Sequence, residues 1–224
     1  MIACPLCFNE VFSSEIKGPS GQLFHYCENC RLVFSEKQDL PNRQNEKERY
    51  LKHENSIQDK GYVRHLNQAI HPALPYLREN MRGLDYGCGP VPTLNRLLEK
   101  KGLNCEFYDP IFFPEHPLGR YDYIFATECF EHFFSPDAEL HKLTHLLESG
   151  GILIVMTTLW EDIDKFEAWK YAQDPTHVVF YHQKTFEFIC AKYGFELLAN
   201  HNNRVIILRK QNGNASSFNF RCSR

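Results

Sequence analysis

Hydrophobic positions along the chain follow a helical period in some segments and form short continuous runs in others. Between residues 61 and 77 they recur at helical spacing, and Pro72 and Pro75 are predicted to end that helix. Further on, short apolar runs alternate with helical segments, and the run "ILIVMTTL" is typical of a strand buried on both faces. This alternation predicts an α/β fold built on a parallel sheet.

Turn and cap residues indicate where the helices and strands of this α/β region begin and end. The segment "SPDAELHKLTHLLESGG" is predicted to be a helix with Ser135 as N-cap and Pro136 in its first turn. The segments "FEAWKYA" and "QKTFEFICAKYG" are also predicted to be helical. Two final strands meet at Asn202 and Asn203, which predicts an antiparallel hairpin at the end of the sheet.

The N-terminal segment contains two CxxC pairs separated by nineteen residues: Cys4, Cys7, Cys27 and Cys30. A hairpin with its tip at residues 18–21 is predicted between them. Four thiolates at this spacing predict a tetrahedral Zn²⁺ site, which would also help so small a segment to fold. Four unrelated buried cysteines and a rubredoxin-type iron site are the alternatives. His25 is predicted to be a surface side chain rather than a ligand.

These patterns divide the chain into four segments. We predict a zinc ribbon at 1–40, a polar linker and helical lead-in at 41–79 with the boundary near Pro41, an α/β domain at 80–210, and a disordered tail at 211–224.

The composition is that of a soluble protein of 224 residues with a net charge of −3 and a pI near 6.4. This charge argues against a broad phosphate-binding surface, although it allows a local basic patch. Neither a membrane span nor a signal peptide is recognisable. Four of the nine cysteines are paired as CxxC and the others are scattered, so we predict metal binding and a cytoplasmic location.

A glycine turn follows the first strand of the α/β domain, in the sequence "DYGCGP" from Asp85 to Pro90. Asp109 ends the next strand, at about the distance where such folds place a carboxylate on a ribose diol. The GxGxxG spacing of a pyrophosphate loop is absent. Because ligands bind at the carboxyl ends of parallel strands, this turn is the candidate cofactor site.

The stretch "TECFEH" follows the next strand and places Glu128, Glu131 and His132 on one face of a helical turn. His177 lies in a later loop that should reach the same edge of the sheet. Two carboxylates and two imidazoles could hold Mg²⁺, Mn²⁺, Fe²⁺ or Zn²⁺. Alternatively, these side chains brace the turn, and without a metal His132 or His177 becomes the candidate general base.

Taken together, "LDYGCGP", "YDYIFATECFEHF", "GGILIVMT" and the terminal hairpin resemble the class I S-adenosylmethionine-dependent methyltransferases over residues 80–210. The resemblance implies a Rossmann-like sheet with S-adenosylmethionine as cofactor. It places Asp85, Gly87 and Gly89 around the methionine part, Asp109 at the ribose hydroxyls, and residues after "FAT" at the methionine end. The full set of implied cofactor-binding residues is Asp85, Tyr86, Gly87, Cys88, Gly89, Asp109, Pro110 and Thr127.

The ExxEH motif and the later "TH" are similar to two groups of O-methyltransferases, those of ubiquinone biosynthesis and those that act on the 3′ ends of small RNAs. In those groups two glutamates and two histidines hold a divalent ion that engages the substrate hydroxyls. The resemblance therefore implies a catalytic metal at Glu128, Glu131, His132 and His177.

One departure from the family concerns the connection after the second strand. Only eleven residues, 110–120, stand where the family inserts a helix, a strand and a helix. We therefore expect six strands, with the usual third strand missing. Ile111, Phe112 and Phe113 are candidates either to cover the adenine or to pack in the core.

These observations predict a methyltransferase that acts on a small-molecule or carrier-linked acceptor, with oxygen as the favoured acceptor atom and a divalent metal as an aid. An RNA methyltransferase that grips RNA with the zinc ribbon is one alternative, but that segment has few basic residues. A cofactor-binding protein that has lost its chemistry is another. The sequence makes no prediction of oligomeric state.

Aromatic and polar residues outside these motifs have two interpretations each. The residues Trp160, Trp169, Tyr171 and Phe180 either line a substrate pocket or belong to the core. In the lead-in, Tyr50, His53, Asn55 and Tyr62 either cover the cofactor or form a polar helix face.

Overall fold

The computed structural model describes residues 2–11, 15–36, 56–115 and 117–212. The predicted boundary near Pro41, the lead-in residues Tyr50, His53 and Asn55, and nearly all of the predicted tail lie outside the described residues. Within the described ranges, none of the helices is both long and apolar enough to cross a membrane.

The central element is a six-stranded sheet in the order β11-β12-β9-β8-β6-β7. Strands β7, β6, β8 and β9 are parallel, whereas β12 and β11 add an antiparallel hairpin. Over the part of the chain that the structure describes, no strand pairs with the outer edge of β7, which confirms the predicted loss of the third strand. The strands are β6 (Arg82–Tyr86), β7 (Asn104–Tyr108), β8 (Tyr121–Thr127), β9 (Leu147–Met156), β11 (Phe195–His201) and β12 (Val205–Lys210).

Four α-helices of the described segments cover the two faces of this sheet: α1 (Lys60–Ala73), α2 (Thr93–Glu99), α3 (Pro136–Leu146) and α4 (Gln183–Tyr193). Their ends follow capping rules. The Asp59 side chain accepts from the Gly61 amide at the start of α1, and Gly194 ends α4 in the left-handed conformation. Pro72 lies inside the last turn of α1 rather than ending it, so that expectation was wrong.

Short 3₁₀ segments supply the remaining turns: Leu74–Tyr76, Phe130–His132, Ile163–Ala168 and Lys170–Gln173. The last two cover the "FEAWKYA" segment that was predicted to be helical. Trp169 is extended between them, which interrupts the α-helix that the spacing suggested.

Strand β9 shows why both faces of the sheet are apolar. Ile152, Ile154 and Met156 pack with α1 and α2 on one face, because alternate side chains of a strand point to opposite sides. Leu153 and Val155 pack with α3 and α4 on the other face. The predicted burial on both faces is confirmed, although the strand ends three residues before the apolar run does.

The N-terminal segment forms two small antiparallel sheets. One pairs β1 (Ile2–Ala3) with β2 (Glu10–Val11), and the other has the order β10-β5-β4-β3. Its strands are β3 (Glu15–Lys17), β4 (Leu23–Tyr26), β5 (Val33–Phe34) and β10 (Val179–Phe180). The predicted hairpin between the CxxC pairs is present as β3 and β4. Strand β10 comes from the α/β domain, so the N-terminal segment shares a sheet with that domain.

The environment of His25 corrects a prediction. His25 is only 6% exposed, and its Nε2 lies 3.0 Å from a carboxylate oxygen of Glu36. Its ring centroid lies 5.7 Å from that of Phe34, its partner on β5, on the face of β4 opposite Phe24 and Tyr26. This pairing is not visible in the N-terminal sequence alone.

Candidate active site

The glycine turn after β6 depends on backbone conformations that favour glycine. Gly87 has a φ of 82° and Gly89 a φ of 67°. The amides of Gly87 and Cys88 donate to the Tyr108 carbonyl at 2.8 and 3.1 Å, which ties the turn to the end of β7. A Cβ atom at Gly87 would come within 2.8 Å of the Cys129 Cβ. The turn therefore leaves room only for the bare backbone.

Asp85 lies beneath this turn and is 2% exposed. Burial, reinforced by the charge of Asp109, raises the pKa of its carboxyl to about 8. Its Oδ1 is buried and, within the described part of the chain, has no hydrogen-bond partner. A buried carboxyl without a partner fits a site that receives a donor or a cation from a ligand.

Asp109 has a different environment from the one that its sequence position suggested. Its carboxylate accepts from the backbone amides of Gly89 at 3.0 Å, Ile111 at 2.8 Å and Phe112 at 3.0 Å. It braces the turn after β7, because the short connection folds back over the strand end. Asp109 does not line the cavity described below, so its assignment to the ribose hydroxyls remains a prediction.

Three other predicted contacts also lie away from the cavity. The Tyr86 hydroxyl donates to a Glu139 carboxylate oxygen at 2.5 Å, and Pro110 is exposed. The Phe113 ring packs edge-on against Phe107 with centroids 5.0 Å apart. The connection after β7 therefore uses at least one of its aromatic rings for packing.

A cavity of about 390 Å³ opens beside the glycine turn. It is lined by residues from α1, from the turn after β6, from the end of β8 and from the loop before β10. These residues are Tyr62, His65, Leu66, Asp85, Gly87, Cys88, Gly89, Leu94, Thr127, Glu128, Glu131, His132, Asp174, Thr176 and His177. The glycine turn and the residues of "TECFEH" therefore share one space.

Glu131, His132 and His177 converge at one side of this cavity. One ligand atom from each lies within 4.8 Å of the others, a spacing that could hold a metal ion. Glu131 is fully buried, and its Oε2 has no hydrogen-bond partner among the residues that the structure describes. Burial and the charge of Glu128 raise the Glu131 pKa to about 8. An unpaired buried carboxylate oxygen beside two imidazoles fits a divalent cation.

The two histidines are oriented by backbone carbonyls. Nδ1 of His132 lies 2.8 Å from the Thr176 oxygen, and Nδ1 of His177 lies 2.7 Å from the Tyr171 oxygen. Since a carbonyl oxygen can only accept, each neutral ring carries its proton on Nδ1 and its lone pair on Nε2. Burial, with a contribution from His177, lowers the His132 pKa to about 4. His132 is therefore neutral, which suits a metal ligand.

Glu128 stands apart from these three residues, so the expected convergence of four side chains is only partly met. Its carboxylate lies 3.0 Å from Arg204 and 3.5 Å from His65. Burial alone would raise the pKa of Glu128, but His65 and Arg204 hold it below its ordinary value. Glu128 has a φ of 51°, a strained conformation that is common at functional sites. The backbone turns there and directs the side chain towards α1 and the β11–β12 hairpin.

Tyr171, one of the aromatic candidates, contacts the cluster: its hydroxyl donates to Glu131 Oε1 at 2.6 Å and lies 3.4 Å from Glu128. Sequence reasoning missed three residues that line the cavity, namely His65, Asp174 and Thr176. His65 stands one helical turn after Tyr62, and that spacing on the lead-in helix was the available signal.

The other aromatic candidates belong to the core. Trp160 and Phe180 are buried with Phe24 and Phe166 in a cluster between the N-terminal sheet and the 3₁₀ segments, and Trp169 packs against that cluster. None of these rings lines the cavity. The structure thus favours the packing interpretation for them.

The four N-terminal cysteines form a second cluster. The sulfur atoms of Cys4 and Cys30 are 3.6 Å apart and those of Cys7 and Cys27 are 3.4 Å apart, and all four lie within 4.8 Å of one another. Tetrahedral Zn²⁺ with bonds of about 2.3 Å requires sulfur separations of roughly 3.8 Å. The arrangement fits such an ion.

A family model described as a methyltransferase domain matches residues 57–200. The magnesium protoporphyrin IX methyltransferase of Synechocystis, solved with bound SAH, is similar in fold, with a TM-score of 0.50 and 11% identity over 75% of this chain and 94% of that chain.

Two further solved structures are similar over much of the chain. An O-methyltransferase family protein of Burkholderia thailandensis has 13% identity and a TM-score of 0.46 over 75% of this chain and 64% of that one. Coclaurine N-methyltransferase, solved with N-methylheliamine and SAH, has 17% identity and a TM-score of 0.44 over 67% and 54%. No curated protein matches the chain significantly.

The family model spans more than half of the chain and includes the glycine turn, the "TECFEH" stretch and His177. The chain therefore belongs to the methyltransferase-domain family and is an S-adenosylmethionine-dependent methyltransferase.

Proposed function

We propose that this enzyme methylates a hydroxyl group of a small-molecule or carrier-linked acceptor with the help of a divalent metal ion. The observation that carries the proposal is the shared cavity. The glycine turn that suits the cofactor opens into the same space as Glu131, His132 and His177. A methyl donor and a metal-held acceptor can therefore meet there.

The chain's own residues define where the cofactor would lie. Gly87 and Gly89 allow close approach of a ligand to the backbone, and Asp85 offers a buried carboxyl oxygen to a donor group. Thr127 and Cys88 line the same wall. When bound, S-adenosylmethionine supplies an electrophilic methyl group.

The residues proposed to hold the metal are Glu131, His132 and His177. Their ligand atoms are close enough to share one ion, and carbonyl oxygens orient both rings. A bound divalent ion lowers the pKa of a coordinated hydroxyl and orients it without a separate strong base. Because burial lowers the pKa of His132, it is a poor general base, so His177 is the candidate base if no metal binds.

The charge of the cavity supports a small acceptor over RNA. Asp85, Glu128, Glu131 and Asp174 all line it, and its basic groups are histidines. Carboxylates suit cationic ligands such as a sulfonium or a metal ion, whereas a polyanion needs lysine and arginine. A volume of about 390 Å³ is also within the range of small-molecule sites.

The four-cysteine cluster is proposed to hold a structural Zn²⁺. All four ligand positions come from protein sulfur, which leaves no open position for a reacting molecule. This site is therefore assigned to folding rather than to the reaction.

Two measurements test the proposal. Calorimetry with S-adenosylmethionine and with its demethylated product should show binding of both. Radiolabelled S-adenosylmethionine should then transfer its methyl group to components of a metabolite extract and not to total RNA. Transfer to RNA alone would reject the small-molecule acceptor, and label found only on nitrogen or carbon would reject O-methylation.

A further inference from the structure

The N-terminal segment reaches the candidate active site through one pair of strands. Strand β5 begins three residues after Cys30, and it pairs with β10, which begins two residues after His177. Val33 faces Phe180 and Phe34 faces Val179 in this antiparallel ladder. A cysteine ligand and an active-site histidine are thus each only a few residues from the same ladder.

Backbone hydrogen bonds continue this connection to Glu131. The amide of Ser35 donates to the Val178 carbonyl at 2.8 Å, and the amide of Val178 donates to the Glu131 carbonyl at 2.8 Å. The peptide groups around Val178 therefore link the N-terminal sheet to two residues of the cluster. Backbone bonds of this kind fix positions more tightly than contacts between flexible side chains.

Packing follows the same route. Cys27, Cys30 and Phe34 are buried in one apolar cluster with Phe130 and Tyr181. Phe130 directly precedes Glu131, and the Tyr181 hydroxyl donates to the Phe130 carbonyl at 3.1 Å. The cysteine site consequently has no independent core, and its order depends on the segment that carries Glu131.

The glycine turn is held by other contacts. The amides of Gly87 and Cys88 bond to Tyr108, and the amide of Gly89 bonds to Asp109. These partners belong to the β7 side of the sheet, whereas β5 and β10 lie on the side of Glu131 and His177. Cys129 also contacts this turn, with its Sγ 3.5 Å from the Tyr86 carbonyl, but the backbone hydrogen bonds that hold the turn run to the β7 side.

From this arrangement we propose that metal binding at the four cysteines controls the metal site at Glu131, His132 and His177 through the β5–β10 ladder, without controlling the cofactor turn. The inference rests on the proposed catalytic metal. Because coupling between binding sites is reciprocal, an ion at either site raises the affinity of the other for its own ion.

The first test uses Cys27→Ser/Cys30→Ser, which removes two thiolates. Mn²⁺ binding is measured by electron paramagnetic resonance and S-adenosylmethionine binding by calorimetry, with zinc content followed in parallel. We expect loss of zinc, Mn²⁺ affinity lower by about 10- to 100-fold as for other supports of metal ligands, and cofactor affinity within about twofold of wild type. Cys190→Ser, a half-buried cysteine on α4, is the control and should leave all three unchanged.

A second pair of variants acts on the ladder and leaves the cysteines in place. Ser35→Pro removes the amide that donates to Val178, while Ser35→Ala keeps it. Ser35→Pro should retain zinc and cofactor binding but lose Mn²⁺ affinity. Ser35→Ala should resemble wild type in all three measurements.

The outcomes separate the coupling from the function on which it rests. Wild-type protein that takes up one zinc at the cysteines but no Mn²⁺, Mg²⁺, Fe²⁺ or second zinc would reject the catalytic metal and the coupling with it. Normal Mn²⁺ binding in the wild type, in Cys27→Ser/Cys30→Ser and in Ser35→Pro would reject the coupling but not the catalytic metal. Parallel loss of cofactor and Mn²⁺ binding in both would also reject it, because the cysteine site would then support the whole fold.

Discussion

The hydroxyl of Tyr171 lies 2.6 Å from Oε1 of Glu131. The same residue accepts from Nδ1 of His177 through its backbone carbonyl at 2.7 Å. One residue therefore orients two of the three side chains in the cluster. Within the described part of the chain, its hydroxyl bonds to Oε1 of Glu131 and leaves Oε2 without a hydrogen-bond partner, so we assign Tyr171 a positioning role.

Removing the Tyr171 hydroxyl should weaken the metal site. In Tyr171→Phe the ring that packs on His177, with centroids 4.5 Å apart, is kept, but the hydrogen bond to Glu131 is lost. We expect the Mn²⁺ dissociation constant to rise by about tenfold, the lower end for loss of a group that orients a ligand. Direct titration with Mn²⁺ measures it.

Tyr193→Phe is the matched control for this change. The Tyr193 hydroxyl donates to the Asp137 carboxylate at 2.7 Å, outside the cavity. Both variants lose a phenol that bonds to a carboxylate, so their effects on stability should be similar. Equal Mn²⁺ affinities in the two variants would show that Tyr171 does not orient the site.

Gly87→Ala should impair cofactor binding. The added methyl group would lie 2.8 Å from Cys129 Cβ, and the backbone has a φ of 82°. We expect S-adenosylmethionine affinity to fall at least about tenfold, equivalent to roughly 1.4 kcal/mol. Gly194→Ala has a similar φ of 72° with open space around the new Cβ, so it should lose some stability and no affinity. Calorimetry that finds full affinity in Gly87→Ala would place the cofactor elsewhere.

Asp85 predicts a pH dependence of stability in the cofactor-free protein. Its folded pKa of about 8 lies above the ordinary value of 3.8, so the folded state holds the proton more strongly. The protonated carboxyl therefore contributes to the free energy of unfolding at low pH, and this contribution is lost as the pH rises from about 4 to about 8. The amide side chain of Asp85→Asn does not titrate. The free energy of unfolding of the variant, relative to that of wild type, should therefore be at least about 1 kcal/mol higher at pH 8 than at pH 4.

Thermal unfolding of the two proteins across that pH range provides the measurement. A constant difference in melting temperature from pH 4 to pH 8 would show that the Asp85 carboxyl has an ordinary pKa. Asp85→Asn should also bind S-adenosylmethionine more weakly, because an amide, unlike the Asp85 carboxyl, cannot lose a proton to become negative when a cationic ligand binds beside it.

Much of the fold was predictable because it depends on local patterns. The continuous apolar run of β9 indicated a strand buried on both faces, and the eleven residues after β7 were too few for the missing strand. The shared edge of parallel strands likewise placed the glycine turn near Glu131 and His177. These inferences needed only periodicity, connection length and topology.

Other features depend on contacts between distant segments, which one sequence does not show. Strand β10 has only two residues, too few for a period, so its pairing with β5 could not be predicted. The ion pair between Glu128 and Arg204 joins residues 76 positions apart. The orientation of Asp109 follows from the path of one short connection.

The most direct test of the proposed function is methyl transfer by the wild-type enzyme before and after metal removal. Radiolabelled S-adenosylmethionine and a metabolite extract supply donor and acceptor, and chelation is limited so that zinc content stays constant. We expect transfer to fall at least about tenfold and to return when Mg²⁺ or Mn²⁺ is added. These ions prefer oxygen and nitrogen ligands to thiolates, so they should bind the cluster rather than the four cysteines. Transfer that continues undiminished in chelator would contradict the assignment of a catalytic metal to Glu131, His132 and His177.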